Sequence, residues 1–205
     1  VDADGSYQQV LDMEVIVGES YPKHQTPLFR GAMRYIVFSP YWNVPYNILK
    51  RELYAKIEAD PDYLAAHNYE IVSAFHPAAE VFPPDPGNIA GLLTGKLKLR
   101  QSPGPHNALG EAKFMFPNNH AVYLHGTPSK RLFRKDKRDF SHGCIRIADP
   151  PRMAAHVLSQ EPGWDRERID ELIANGEWRQ VGLSKPLQVY VLYGTAVADL
   201  DGTVR

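Results

Sequence analysis

Two neighbouring segments decide how this chain is read: Tyr123-Leu124-His125-Gly126-Thr127-Pro128 and Phe140-Ser141-His142-Gly143-Cys144-Ile145-Arg146. In the first, a short apolar strand delivers His125 at its end, where Gly126 and Pro128 turn the chain and leave the imidazole facing open space. In the second, Gly143 allows close backbone approach, so that amide hydrogens around the Cys144 sulfur can converge on a developing oxyanion. Cys144 is the single cysteine, which rules out an intrachain disulfide and leaves two readings, a small buried hydrophobe or a nucleophile. Its neighbours favour the nucleophile. A free thiol of pKa ~8.5 is mostly protonated at neutral pH, and an adjacent imidazole that takes the proton leaves a reactive thiolate–imidazolium pair.

On either side of these segments the pattern is mainly that of strands. From Val10 to Val17, Leu11, Met13, Val15 and Val17 alternate with Asp12 and Glu14, the period of a strand with one wet face. Tyr35 to Phe38, Lys96 to Arg100, Lys113 to Phe116, Ala121 to Leu124 and Leu187 to Tyr193 are further strands, the first ended by Ser39-Pro40 because proline lacks a ladder donor. Between Asn47 and Ala59 the period changes: Leu49, Leu53 and Ile57 recur every four residues, which predicts an amphipathic helix stopped by Asp60-Pro61. A helical turn over Asp62 to Ala66 follows. Asp149-Pro150 starts another helix with a capping carboxylate, and Arg166 to Ala174 is a third, with Gly176 beyond its end. The punctuation of residues 41–94 differs from that of their flanks, and they read as an insertion. The whole is one mainly β domain with small helical additions.

Composition bounds the partners. A net charge of −1 over 205 residues gives no basic excess for releasing counterions from phosphates, so nucleic acid is a poor partner. No stretch approaches the ~20 apolar residues that span a bilayer, and Val1 opens no signal peptide, so a signal or anchor segment is expected outside this stretch of sequence. The only charge run holds six basic residues, from Lys130 to Arg138. It reads as a solvated loop, or as a lid that draws acidic peptides toward the thiol just after it.

A histidine followed at 16 to 19 residues by Ser-His-Gly-Cys resembles the signature of the L,D-transpeptidase catalytic family, the YkuD type. Arg100 to Gly104, Asn107 to Gly110, Lys113-Phe114 and Phe116 to Asn118 are similar to the blocks preceding the site in the branch with a helical capping insertion. Val15 to Gly18, Thr26-Pro27 and Phe38 to Pro45 are similar to its N-terminal part. The resemblance implies a β-sandwich or barrel-like catalytic fold over 1–205 with an α-helical cap at 41–94. It also implies a chain clipped at both ends, since family domains open with one more strand and continue past the Asp201-Gly202 turn. Cys144 would be the nucleophile and His125 the general base. Ser141, His142 and Gly143 would shape the loop, with the amides of 142–144 as the oxyanion hole. Arg146 would hold a substrate carboxylate or brace the loop through an ion pair; Tyr123 would line the pocket or pack in the core; Asn107 and Trp42 are further candidates for substrate contact. Gly126 stands where members of this branch can carry aspartate, so no side-chain role transfers there.

The family implies a peptidoglycan stem peptide as substrate, D-alanine as leaving group, a three-to-three cross-link as product, carbapenems as covalent inhibitors, and no cofactor or metal. An extracytoplasmic setting follows, periplasmic in a Gram-negative cell. The alternative acceptor is water, which makes the chain an L,D-carboxypeptidase or another cysteine peptidase of the wall. Against zinc stands the lack of any compact pairing of ligands beside the one thiol. Ser20-Tyr21-Pro22-Lys23 fits the Ser-x-x-Lys of serine penicillin-recognising enzymes, but its partner motifs are missing and Pro22 opposes the helix it needs. A wall-binding module with an inert thiol is the non-enzymatic rival.

Overall fold

The computed structural model describes residues 9–19 and 25–194; Ser20 to Lys23 and the Asp201-Gly202 turn lie outside the described residues. In chain order the strands are β1 (Val15–Gly18), β2 (Phe29–Phe38), β3 (Trp42–Asn43), β4 (Tyr69–Val72), β5 (Val81–Phe82), β6 (Lys98–Gln101), β7 (Ala112–Met115), β8 (Leu124–His125), β9 (Asp139–Ser141), β10 (Ile145–Ile147) and β11 (Arg179–Val191). The helices are α1 (Tyr46–Ile48), which runs through a π turn (Leu49–Leu53) into α2 (Tyr54–Ala59), then α3 (Asp62–Ala66), α4 (Pro86–Leu93), α5 (Pro150–Val157) and α6 (Arg166–Ala174). Seven strands form one sheet in the order β11-β2-β7-β8-β10-β1-β9, and four form a second in the order β3-β6-β4-β5. The protein is mainly β with short helical additions.

Register gives the large sheet two different faces. Ile36, Phe114, Leu124 and Ile145 pair in a row across β2, β7, β8 and β10 and point into the main core, where Phe38, Phe116, Leu158 and Ile169 from the sheet and from the α5–α6 layer join them. Phe38, Phe114 and Phe116 are fully buried, and each such side chain stabilises the fold by ~1.5–3 kcal/mol. One residue along, every side chain points the other way. That second row runs Gln180, Val37, Lys113, His125 and Arg146. α5 starts as its sequence dictates, with the Asp149 carboxylate accepting from the Arg152 amide at 3.0 Å. α6 is capped in the same way by Asp165 and stops before Gly176, whose φ is 64°.

The small sheet and its helices enclose a separate core of Leu49, Leu53, Ile57, Leu64, Ile71, Ile89, Leu92 and Leu99. The four-residue repeat read between Asn47 and Ala59 is thus the buried face of a continuous helical stretch. Residues 41–94 are less purely helical than their sequence suggests, since they also supply β3, β4 and β5.

Several strand boundaries differ from those expected. The alternation from Val10 becomes a strand only at Val15, because its partner β10 ends at Ile147 and the chain turns into α5; Val10 is left exposed. Ala121 takes a left-handed φ of 54°, so the apolar run before His125 pairs only from Leu124. In the other direction, β2 starts six residues earlier, at Phe29 rather than Tyr35, and β11 starts at Arg179 and runs alongside it across an irregularity between Gly182 and Leu187. The basic run forms a 3-10 turn (Lys130–Arg134). Phe133 anchors it by burial, and Lys130 ties it to Glu111 at 3.3 Å and to the Ala148 carbonyl at 3.2 Å.

Candidate active site

The row Lys113, His125, Arg146 crosses three adjacent strands on the face away from the main core. Residues two apart share a face, which puts Tyr123 beside His125 and Cys144 beside Arg146. All five line one cavity of about 570 Å³, closed on its far side by Trp42, Asn43 and Glu52 from the segment that carries the second sheet. A smaller hollow of about 290 Å³, walled by Gln25, Pro27, Val122 and Gly143, meets the first at His120, Ala121, His142 and Cys144. The sulfur therefore sits between two openings. No residue of the basic run 130–138 lines either of them, so a lid over the thiol is not what that run forms here.

His125 is buried, and its Nδ1 lies 2.6 Å from the Gly126 carbonyl. A carbonyl can only accept, so Nδ1 carries the proton and Nε2 keeps a lone pair. Burial first, then the Arg146 cation and, more weakly, Lys113, outweigh the Gly126 carbonyl and push the imidazole down to about 3. The Cys144 thiol is raised by its own burial, against hydrogen bonds from Tyr123 and the Arg146 and Lys113 cations, which lower it. It donates to the Ala121 carbonyl at 3.7 Å. The resting pair is thus a neutral thiol and a neutral imidazole, not the thiolate–imidazolium pair read from the sequence. Desolvation penalises both charged forms, and the two cations beside the imidazole make a third positive charge there costly. What they favour is a negative sulfur.

The loop that carries Cys144 is held by its own polar groups. Ser141, buried, accepts from the Gly143 amide at 3.1 Å and donates from Oγ to the Cys144 carbonyl. Thr26 donates to the Gly143 carbonyl at 2.9 Å. Gly143 takes a φ of 116°, open only to glycine. Ser141 and Gly143 shape the loop. The Gly143 amide is engaged by Ser141, however, and is not one of three free donors in an oxyanion hole. His142 turns outward, and its Nε2 meets Glu52 Oε1 at 2.8 Å, across 90 residues of sequence.

Arg146 is partly buried, and its Nε has neither acceptor nor ion pair. Among the described residues no carboxylate braces it, which counts against the loop-bracing reading. Tyr123 and Trp42 stand in the cavity wall. Asn107 does not: it is 1% exposed, its amide nitrogen donates to the carbonyls of Pro40, Gln101 and Ser102, and its oxygen accepts from Leu109. It fixes the turn ending at Gly110. The sequence reading passed over Lys113 and Glu52. A lysine inside the apolar strand Ala112-Lys113-Phe114 was the available signal for the first; nothing local marks the second. An added Cβ at Gly126 would meet Glu111 Oε2 at 2.6 Å, so the carboxylate beside the residue after His125 belongs to Glu111. Among the described residues no group of three or more His, Cys, Asp or Glu could hold a metal.

One cavity on a single face of a β-sheet thus gathers the thiol of Cys144, the neutral imidazole of His125 and the cations of Lys113 and Arg146. The family of L,D-transpeptidase catalytic domains, YkuD, matches residues 3–189, and the chain belongs to it. The chain is also 30% identical over 187 residues to a protein of Haemophilus influenzae (strain ATCC 51907 / DSM 11121 / KW20 / Rd) named "Putative L,D-transpeptidase", a match covering 91% of this chain and 37% of that relative. The chain thus spans little more than a third of the relative's length.

Proposed function

We propose that this chain catalyses L,D-transpeptidation of peptidoglycan, forming three-to-three cross-links through a thioester on Cys144. The observation that carries this reading is the cavity in which Cys144, His125 with Nε2 free, and the unpaired Arg146 converge. Cys144 Sγ attacks the carbonyl between the third residue of a tetrapeptide stem and its terminal D-alanine, while His125 Nε2 takes the thiol proton. The Cys144 amide and the Tyr123 hydroxyl are the donors for the oxyanion. Collapse breaks the C–N bond, Nε2 returns its proton to the leaving amine, and D-alanine departs, its carboxylate held by Arg146 through the guanidinium fork. An amine on a second stem then attacks the thioester; its proton passes to Nε2 and on to the sulfur. No cofactor or metal takes part.

Residues 41–94 cap the donor groove in this reading, with Trp42 as an aromatic wall. The second opening beside Cys144 gives the acceptor its own approach, which supports an acceptor larger than water. The strained amide of a carbapenem imitates the scissile one and acylates the same sulfur. Such a substrate places the protein outside the cytoplasm, in the periplasm of a Gram-negative cell.

Mass spectrometry after incubation with a tetrapeptide fragment, and separately with a carbapenem, tests this. The expected result is an adduct on Cys144 from each, D-alanine release, and neither in Cys144→Ala. Product analysis with amine acceptors separates transpeptidation from hydrolysis: tripeptide alone, whatever the amine supplied, would assign water as the acceptor.

A further inference from the structure

Beyond Lys113, on the same face of the large sheet, lies a second cavity of about 340 Å³. Tyr35, Tyr41, Phe75 and Trp178 wall it, and Asn43 and Gln180 add amides. Phe75 and Trp178 are 45% and 39% exposed, so their apolar rings meet water at a concave surface. The rim is braced. Arg100, 3% exposed, binds Glu70 at 2.7 Å and the His76 carbonyl at 2.6 Å, and its guanidinium lies 4.2 Å from the centre of the Tyr41 ring. Asn43 and Lys113 line both this cavity and that of Cys144, so the two adjoin. Lys113 stands between them with no hydrogen bond or ion pair among the described residues, its nearest ring being Tyr123 at 5.5 Å.

We propose that this aromatic cavity binds the sugar to which the donor peptide is attached, with Lys113 receiving a carboxylate of the peptide on the way. The inference rests on the donor being a cell-wall stem. Aromatic faces exposed in a concavity fit the C–H faces of a sugar ring, and side-chain amides match its hydroxyl and acetamido groups, since each offers both donor and acceptor. Among the described residues the lining holds no carboxylate, so a cationic ligand finds no counter-charge from them. The spacing agrees. Strands lie ~4.8 Å apart, so from Cys144 beside β10 it is ~10 Å to Lys113 on β7 and ~14 Å to Tyr35 on β2. Three extended residues, the part of the stem that stays on the enzyme side of the scissile bond, span ~10–11 Å. With the departing D-alanine at Arg146, the peptide crosses β8 and β7, and its sugar comes to rest over Tyr35 and Trp178.

The test compares two donors, a free tetrapeptide and the same peptide carried on its N-acetylated disaccharide, by D-alanine release, and titrates the peptide-free disaccharide into the protein by calorimetry. We expect kcat/KM at least about tenfold higher for the glycan-linked donor, a difference of ~1.4 kcal/mol. Saturable binding of the disaccharide alone should accompany it. In Phe75→Ala and Trp178→Ala, each checked for an unchanged unfolding midpoint, the ratio should fall towards one and disaccharide binding should be lost. Equal turnover of the two donors with no disaccharide binding overturns the sugar site and leaves the proposed activity standing. Disaccharide binding that vanishes in Trp178→Ala while neither donor is turned over keeps the site and overturns the activity.

Discussion

Arg146 Nε is a buried donor with no acceptor, and leaving such a group unpaired costs about 1–3 kcal/mol. In the proposed reaction a substrate carboxylate would recover that cost, which is the reason for assigning the peptide terminus to this guanidinium. Arg146→Lys keeps the charge and loses the fork; KM for the tetrapeptide should rise ~10–100-fold with kcat much less affected, and an unchanged KM would exclude the contact. Burial and, after it, the same cation depress His125. An imidazole held down to about 3 stays unprotonated through mildly acid solution, so if it is the base as proposed, carbapenem acylation of Cys144 should keep its rate from pH 7 to pH 5. An imidazole at the ordinary ~6.5 would lose more than tenfold over that interval. Arg146→Gln removes the largest of the charges that lower the imidazole, and the acid limb should move up towards ~6.5. An acid limb already near ~6.5 in the unaltered protein would mean that the imidazole is solvated in solution. The sequence offered Arg146 as a carboxylate contact and places His125 and Cys144 in proximity, but it does not reveal that burial leaves both neutral.

At the scale of elements, the site depends on a turn that touches no substrate. Asn107 fixes the turn to Gly110, where φ is 63° and an added Cβ would lie 2.5 Å from the Thr127 amide nitrogen. The turn thus packs directly on the backbone following the base. Gly110→Ala should cost more than ~1–3 kcal/mol and lower the acylation rate by shifting His125; a urea midpoint and acylation rate both unchanged would show that the close approach is not maintained. The sequence displays Asn107 and Gly110 as a block but not what they support, because the contact is made by β7 and β8 pairing. Periodicity foretold the helix from Asn47 to Ala59 because its repeat spans three turns. It passed over β4 and β5, whose few residues become strands only by pairing with each other and with β6. The π turn inside that helix was equally hidden, and it carries Glu52, whose contact with His142 joins the cap to the thiol's loop.

Over the whole molecule, one sheet face makes the core and the other makes the site, and the two are tied through single-residue alternation. The buried imidazole lies on a strand whose neighbouring residues pack into the core, so its protonation is coupled to folding. In the unfolded chain His125 takes a proton near ~6.5; in the folded chain it does so only near about 3. Between those values the unfolded state binds the extra proton, and stability falls by up to ~1.4 kcal/mol for each unit that pH drops. The contribution is fully present above ~6.5 and is lost as pH drops towards 3. His125→Gln, which cannot take that proton, should therefore lose less stability between pH 7 and pH 4.5 than the unaltered chain, whatever its stability at pH 7. Urea unfolding at the two values measures the difference directly. If both proteins lose the same amount, acid sensitivity arises elsewhere, and the imidazole is not held in the dry, cation-flanked setting on which its proposed role as a base depends.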